Sequence, residues 1–331
     1  MIIYNRKPFR SLLTLAIVVM AGSVCATDVL IHDPEQKEFK EVMSNAKRIH
    51  TSDGWFEVIK MPNNIYAFWE PGHVELVNSF LILGESFDLL YDTGMGIASI
   101  KNAIAEVRKI EGLPERKIVV VNSHAHLDHI GDNHEFDELY GFNSEWRIRK
   151  ITEGIPAGNK KWIDYYASLN ETPKPPENYS PSTMSVPPVR KDKIKFINDR
   201  DIIDLGNRKF TAILSKSHTE DSVVLYDADN KLLFTGDVFS PAILGFIENN
   251  GDDLYKDLVL LDSLDVAYHY NTHGAYQLSD LNARSKALKA FEKVRKNEVK
   301  PFEVEFFVGE PNLVYEVDGI QFWHWPYQSH Y

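Results

Sequence analysis

KIVVVNSHAHLDHIGDN, residues 117–133, is the stretch on which the fold of this chain turns. Ile118–Val121 is an unbroken β-branched run ended by Asn122, the pattern of a buried strand. Directly beyond it stand His124, His126, Asp128 and His129, four metal-competent side chains within six residues at a strand-to-loop junction. Alternation turns His124 and His126 to one side, while Asp128 and His129 can turn towards a second point. The offset suits the roughly 3.5–4 Å between cations in two-metal sites, so one short loop can serve two ions. A solvated polar turn that happens to be His-rich is the bland reading, and three His at this spacing are improbable by chance when the chain has 12 in 331 residues.

Towards the N-terminus, WFEVIKM, NIYAFWE, VNSFLILG and FDLLYDTG form successive strands bounded by Asn, Gly or Pro turns, an antiparallel meander starting at Trp55. Ile100, Ala103, Ile104, Val107 and Ile110 recur at the helical period, predicting an amphipathic helix over Ser99–Glu111. Residues 27–52 read as an N-terminal arm or short helix. Towards the C-terminus, residues 155–195 hold seven of the sixteen prolines together with Trp162, Tyr165, Tyr166 and Tyr179, and read as an insertion. Strands resume at IKFIN, DIIDLG, KFTAILS, SVVLYDAD and KLLFTGD, followed by a helix over Asp252–Leu264 and the strand VAYHYN, which repeats the order of the first half. A second helix near Leu278–Asn297 precedes two strand-like runs, FEVEFFVG and LVYEVDGIQFWHWP.

Composition sets outer limits. With 44% hydrophobic and 25% charged residues the chain can bury a full core, which excludes disorder, collagen and coiled coil. The net charge of -12 and the lack of a basic run speak against nucleic acid as a partner. Arg6, Lys7 and Arg10, the apolar Leu12–Ala21 and the small residues ending at Ala26 read as a secretory signal, residues 1–26, too short to span a bilayer. Cleavage after Ala26 removes Cys25, the chain's single cysteine; acylation of Cys25 is the alternative, and Val24 before it argues against that. The expected mature protein, residues 27–331, is a single periplasmic or secreted domain without stable membrane insertion. Lacking thiols, it can hold a metal only with His and carboxylate.

H-x-H-x-D-H at the end of a strand resembles the metallo-β-lactamase superfamily, and the resemblance extends over about residues 55–275. The remaining pattern follows in order: His218 before a strand, Asp237 in a T-G-D turn and His273-Gly274 after a late strand. The resemblance implies an α+β fold, an αββα sandwich of two mixed β-sheets flanked by helices. It also implies that His124, His126 and His218 bind one metal, Asp128, His129 and His273 the other, and Asp237 bridges them. Asp92, in LLYDTGMG, matches the family's Asp-Thr-Gly turn and would fix a ligand imidazole's tautomer. Two zinc ions per chain are the expected cofactors, with iron the alternative. A metal-bridging hydroxide would attack an ester, lactone, thioester or amide-type bond of a small-molecule substrate, and Asp128 would orient it as a catalytic residue.

An Asp in place of the Cys or Ser common in true β-lactamases makes the pattern look more like glyoxalase II and lactonases. Lactams stay open as substrates nonetheless. A mononuclear iron persulfide dioxygenase and a non-catalytic metal- or partner-binding protein on the same scaffold are the readings from other classes. Trp162, Tyr165 and Tyr166 offer an aromatic lid or mere packing. Trp323, His324, Trp325 and Tyr327 read as a tail anchor in preference to a site cap, and His134 and His269 as structural. The oligomeric state has no signal in the sequence.

Overall fold

The computed structural model of the chain describes residues 43–44, 46–73, 75–156, 185–241, 243–247, 251–306 and 310–325. Among these, the first sheet runs in sequence order through β1 (Lys47–His50), β2 (Glu57–Met61), β3 (Ile65–Trp69), β4 (Asn78–Ile82), β5 (Asp88–Tyr91), β6 (Ile118–Val121), β7 (Leu139–Phe142) and β8 (Ile194–Ile197). Pairing is antiparallel as far as β5 and parallel from β5 to β8. The second sheet sets β9 (Ile202–Asp204), β10 (Lys209–Ser215), β11 (Ser222–Asp227) and β12 (Leu232–Phe234) antiparallel, with β14 (Tyr268–Tyr270) parallel to β12. Each half therefore closes on a parallel crossover, carried by helix α1 (Ile100–Glu111) in the first and α4 (Gly251–Ser263) in the second.

Period-two alternation explains the layering. Phe80, Ile82, Leu89, Tyr91 and Val121 face Phe210, Ala212, Val223, Leu225 and Phe234 in the core between the sheets. Their sequence neighbours Leu81, Leu90 and Val120 point the other way and pack on Ile100, Ile104 and Val107 of α1. On the far side, Ile213, Val224 and Leu233 pack on Leu254, Leu258 and Leu261 of α4 and on Ala287 and Phe291 of α5 (Ala283–Arg295). The two mixed sheets of the αββα sandwich are thus present with helices outside. Helix α1 is bounded by sequence: the Ser99 hydroxyl accepts from the Asn102 N–H, and Gly112 stops it with φ 65°. Buried Arg108 on α1 donates to Asp88 of β5 at 2.6 Å, pinning helix to sheet.

The structure corrects one expectation and adds a third sheet. Residues 47–50 are neither arm nor helix; they extend the first sheet as β1, with Ile49 turned into the core. The C-terminal strands do not join the sandwich sheets; β15 (Phe302–Phe306), β16 (Glu310–Val317) and β17 (Ile320–Trp325) form a third sheet with β13 (Ile243–Ile247). That sheet covers α5 with Phe322 and Ile320. Trp323 is buried and His324 stacks on Phe246 at 5.0 Å, so the described part of the aromatic tail is packing. The expected signal segment 1–26, Trp162, Tyr165, Tyr166, Tyr179 and Tyr327 lie outside the described residues. The ends of the insertion are tied together by an Ile155–Val186 bridge.

Candidate metal centre

Strand ends deliver the seven side chains. His124 and His126 follow β6, Asp128 and His129 lie on the short helix α2 (Leu127–Ile130), and His218 sits in the turn from β10 to β11. Asp237 lies in the turn after β12 and His273 follows β14, the strand parallel to β12. The Asp237 turn presses on the His124 loop: a Cβ on Gly236 would lie 2.6 Å from Ser123 Cβ, and the backbone there has φ 54°. Only glycine meets both demands.

Two groups of ligand-type atoms result, each within 4.8 Å of one another: His124, His126, His218 and Asp237, and beside them Asp128, His129 and His273. In the first, His124 Nε2 and His126 Nδ1 are 2.7 Å apart, and His218 Nε2 is 3.2 Å from each. Nitrogens about 2.0 Å from a tetrahedral zinc stand roughly 3.3 Å apart, so the trio has the right span. In the second, His129 Nε2 lies 3.2 Å from Asp128 Oδ2 and 3.5 Å from Asp237 Oδ2. His273 Nε2 lies 3.1 Å from Asp237 Oδ1 and 3.4 Å from Asp128 Oδ2. Asp237 Oδ2 is also 3.8 Å from His124 Nε2 and 3.6 Å from His218 Nε2, which places this carboxylate between the groups.

The hydrogen bonds behind the rings decide which atoms face the centre. The Asp92 carboxylate accepts from His129 Nδ1 at 2.9 Å and from the Ser123 N–H at 2.6 Å. The Glu75 carbonyl accepts from His273 Nδ1 at 2.7 Å. With both Nδ1 atoms donating, the Nε2 lone pairs of His129 and His273 point at carboxylate oxygens, and His129 Nε2 has no hydrogen-bond partner among the described residues. Electron pairs facing electron pairs call for positive charge between them. Protons would supply it: burial lowers both imidazole pKa values, but the carboxylates of Asp128 and Asp237 outweigh it, raising His129 well above the usual value and His273 to about 9. Burial and like-charged neighbours hold His124 and His126 far below the ordinary value, and His218 falls to about 4, chiefly through burial. Three neutral imidazoles and two ionised carboxylates form the donor set of a divalent metal pair, and the residues present fit it.

All seven residues expected from sequence, and Asp92 beneath them, are therefore brought together. Asp92 holds φ 64°, an unusual conformation for a non-glycine residue, which aims its carboxylate at both partners. His134 is exposed and stands apart, while buried His269 bonds to Thr235 Oγ1 at 2.9 Å in the Asp237 turn. Sequence reasoning missed three neighbours. His73 and Glu75, on the turn between β3 and β4, lie close enough to feel Asp128 and His273; burial lowers His73 to about 4 and raises Glu75 to about 7. Trp146, on helix α3 (Glu145–Glu153), meets His126 edge-on at 5.7 Å. Only His73 carried a signal, being a buried-type ligand residue before a strand.

A family model described as the metallo-beta-lactamase superfamily matches residues 73–300. Among curated proteins, the chain is 26% identical over 191 residues to acyl-coenzyme A thioesterase MBLAC2 of Gallus gallus, covering 56% of this chain and 66% of that one. The Homo sapiens counterpart is 28% identical over 177 residues, 52% of this chain and 60% of the relative. The matched region thus spans less than two thirds of the length of these relatives. Among solved structures, a metallo-beta-lactamase family protein from Thermus thermophilus superposes with TM-score 0.54 at 20% identity, over 71% of this chain and 81% of the other. At that identity the likeness is one of fold.

Proposed function

The chain belongs to the metallo-beta-lactamase superfamily, and from that premise we propose that it is an exported binuclear zinc hydrolase whose substrate is an acyl thioester. The thioester is favoured over ester, lactone and lactam by the activity named for the curated relatives, and hydrolysis is favoured over one-iron oxidation by a second ligand group as complete as the first. One observation carries the metal reading: buried lone pairs on His129 and His273 converge with the carboxylates of Asp128 and Asp237 on one centre.

His124, His126 and His218 would hold one ion and Asp128, His129 and His273 the other, with Asp237 shared. Bound zinc supplies a Lewis acid for the carbonyl oxygen and brings water's pKa towards neutrality. Asp128 keeps a second carboxylate oxygen with which to accept a hydrogen bond from the attacking water and orient it. Asp92 and the Glu75 carbonyl hold their imidazoles in the tautomer that leaves Nε2 open. The Ser123 hydroxyl, 2.9 Å from His124 Nδ1, is able to accept from that nitrogen when His124 Nε2 serves as the ligand. Thr272 Oγ1 donates to Asp237 Oδ1 at 2.9 Å and holds that carboxylate in place.

The test is elemental mass spectrometry of protein purified without added metal, paired with hydrolysis of an acyl thioester, an ester, a lactone and a cephalosporin. Close to two zinc ions per chain with thioester turnover is expected. His126→Ala and Asp237→Ala should retain the wild-type circular dichroism while losing metal and turnover. A folded, metal-depleted His126→Ala protein that still cleaves the wild-type substrate would sink the reading.

A further inference from the structure

Helix α3 lies against the metal centre and is fixed there from both ends of the site. Its N-cap Ser144 hydroxyl donates to Glu220, two residues beyond His218, and Trp146 packs edge-on against His126 at 5.7 Å. Trp146 is 8% exposed, and its buried indole N–H has no acceptor among the described residues. An unmet buried donor costs about 1–3 kcal/mol, which an accepting group brought beside it would recover.

One helical turn on, Lys150 lies on the same face as Trp146, because residues i and i+4 stand above one another and side chains lean towards the helix N-terminus. Its Nζ rests over the indole at 5.7 Å from the ring centroid. Burial lowers its pKa, and the charged groups that act on it are its own helix neighbours Arg149 and Glu153. Among the described residues the ammonium has no ion-pair partner. The indole thus neighbours both the metal-site His126 and a half-buried cation that is unpaired among the described residues, and the ammonium stands no farther from the His126 ring than twice 5.7 Å. In a chain of net charge -12, an anionic group held away from the metal ions gains most where a local cation receives it.

We propose that Trp146 and Lys150 form a subsite for an anionic group of the substrate, a carboxylate or phosphate carried on the same molecule as the bond to be cleaved. The indole N–H donates to that group and the ammonium pairs with it. This assignment rests on the thioesterase reading for its substrate but makes a separate demand: charge on the substrate, not merely a cleavable bond, governs selection.

Three thioesters separate the two sources of negative charge. Butyryl and glutaryl N-acetylcysteamine differ only in an acyl-chain carboxylate; butyryl N-acetylcysteamine and butyryl coenzyme A differ in the leaving group, whose phosphates only the second carries. For wild type, Lys150→Met and Lys150→Arg, kcat/KM is measured on all three and expressed as the two charged-to-neutral ratios. In Lys150→Met one ratio should fall roughly tenfold, the effect of one charge-assisted contact, mostly through KM, and Lys150→Arg should restore it. Which ratio falls identifies the source. Two ratios identical in wild type and Lys150→Met overturn the subsite, even if all rates drop together. Should wild type cleave no thioester, the function above fails and the subsite is judged by calorimetric titration of glutarate and of coenzyme A. Binding of either that weakens in Lys150→Met supports it, and absent or equal binding overturns it.

Discussion

Asp92 illustrates how much chemistry one carboxylate controls here. Its two oxygens accept from the Ser123 N–H and from His129 Nδ1. In Asp92→Asn the single amide oxygen must stay with Ser123, whose buried N–H needs an acceptor, so the amide NH2 group faces His129. The imidazole then has to accept at Nδ1 and carry its proton on Nε2, where the ligand lone pair belongs. Metal affinity should fall about 10–100-fold with the circular dichroism unchanged, as read by competition with a chromogenic chelator; unaltered affinity would show that Asp92 serves the turn alone. At this scale the ligand residues were legible because His and Asp at i, i+2, i+4 and i+5 after a strand have little other reason to occur together. His73, Glu75 and Trp146 were not, since each reaches the centre through chain closure rather than local spacing. Their nearness to His126, Asp128 and His273 exists only once the sheets have packed.

Elements followed the same division. β4, β5, β6, β11 and β12 announced themselves through apolar runs bounded by turn residues, and α1 through its helical stripe, cap serine and terminal glycine. The β7 strand, LYGF, is four residues long and carries a glycine that exists for a neighbour: a Cβ on Gly141 would meet Arg147 Nε at 2.4 Å. Helix α3 was hidden by that same arginine, because EWRIRKITE buries Trp146, Arg147 and Ile151, and a charged residue on the inner face erases the amphipathic signature. Arg147 is fully buried, donates to the Leu139 carbonyl at 3.2 Å and faces the field of buried Asp221, three residues beyond His218. Burial raises Asp221 to about 6 even against the pull of Arg147, which lowers it. Arg147→Met therefore strands a carboxylate in the interior, and thermal or urea unfolding should show a loss of about 3 kcal/mol. Asp221→Asn added to it should recover part of that loss. Strictly additive costs in this double-mutant cycle would mean that the two charges do not communicate.

For the molecule as a whole, the sandwich could be anticipated and the third sheet could not. β13 pairs in parallel with β17 across some seventy residues of chain, and no local pattern encodes a partner that distant. What the sandwich does encode is a centre that stays folded around concentrated charge, and this links global stability to pH and metal. In metal-free protein the His273 imidazole, held between Asp237 and Asp128, keeps its proton up to about pH 9, and His129 is shifted in the same direction. In the unfolded chain both titrate near 6.5. Below 6.5 folded and unfolded chains are equally protonated and the stabilisation is fully present. As pH rises from there the unfolded chain releases protons that the folded chain retains, so stability drains away until about pH 9. Buried Glu70 and Glu75, both raised to about 7, also oppose folding as pH rises, but their effect is complete near neutrality. In the window from pH 7 to 9 the imidazolium groups therefore contribute, with a loss on the order of 2 kcal/mol from His273. Zinc takes the same lone pairs without a proton, so metal-loaded protein should hold a higher and flatter Tm across that window. Calorimetry with and without chelator measures both curves; a chelated, folded protein whose Tm does not decline from pH 7 to 9 would show that the carboxylates do not hold protons on these rings, and the case for a positive charge at the centre would lose its electrostatic footing.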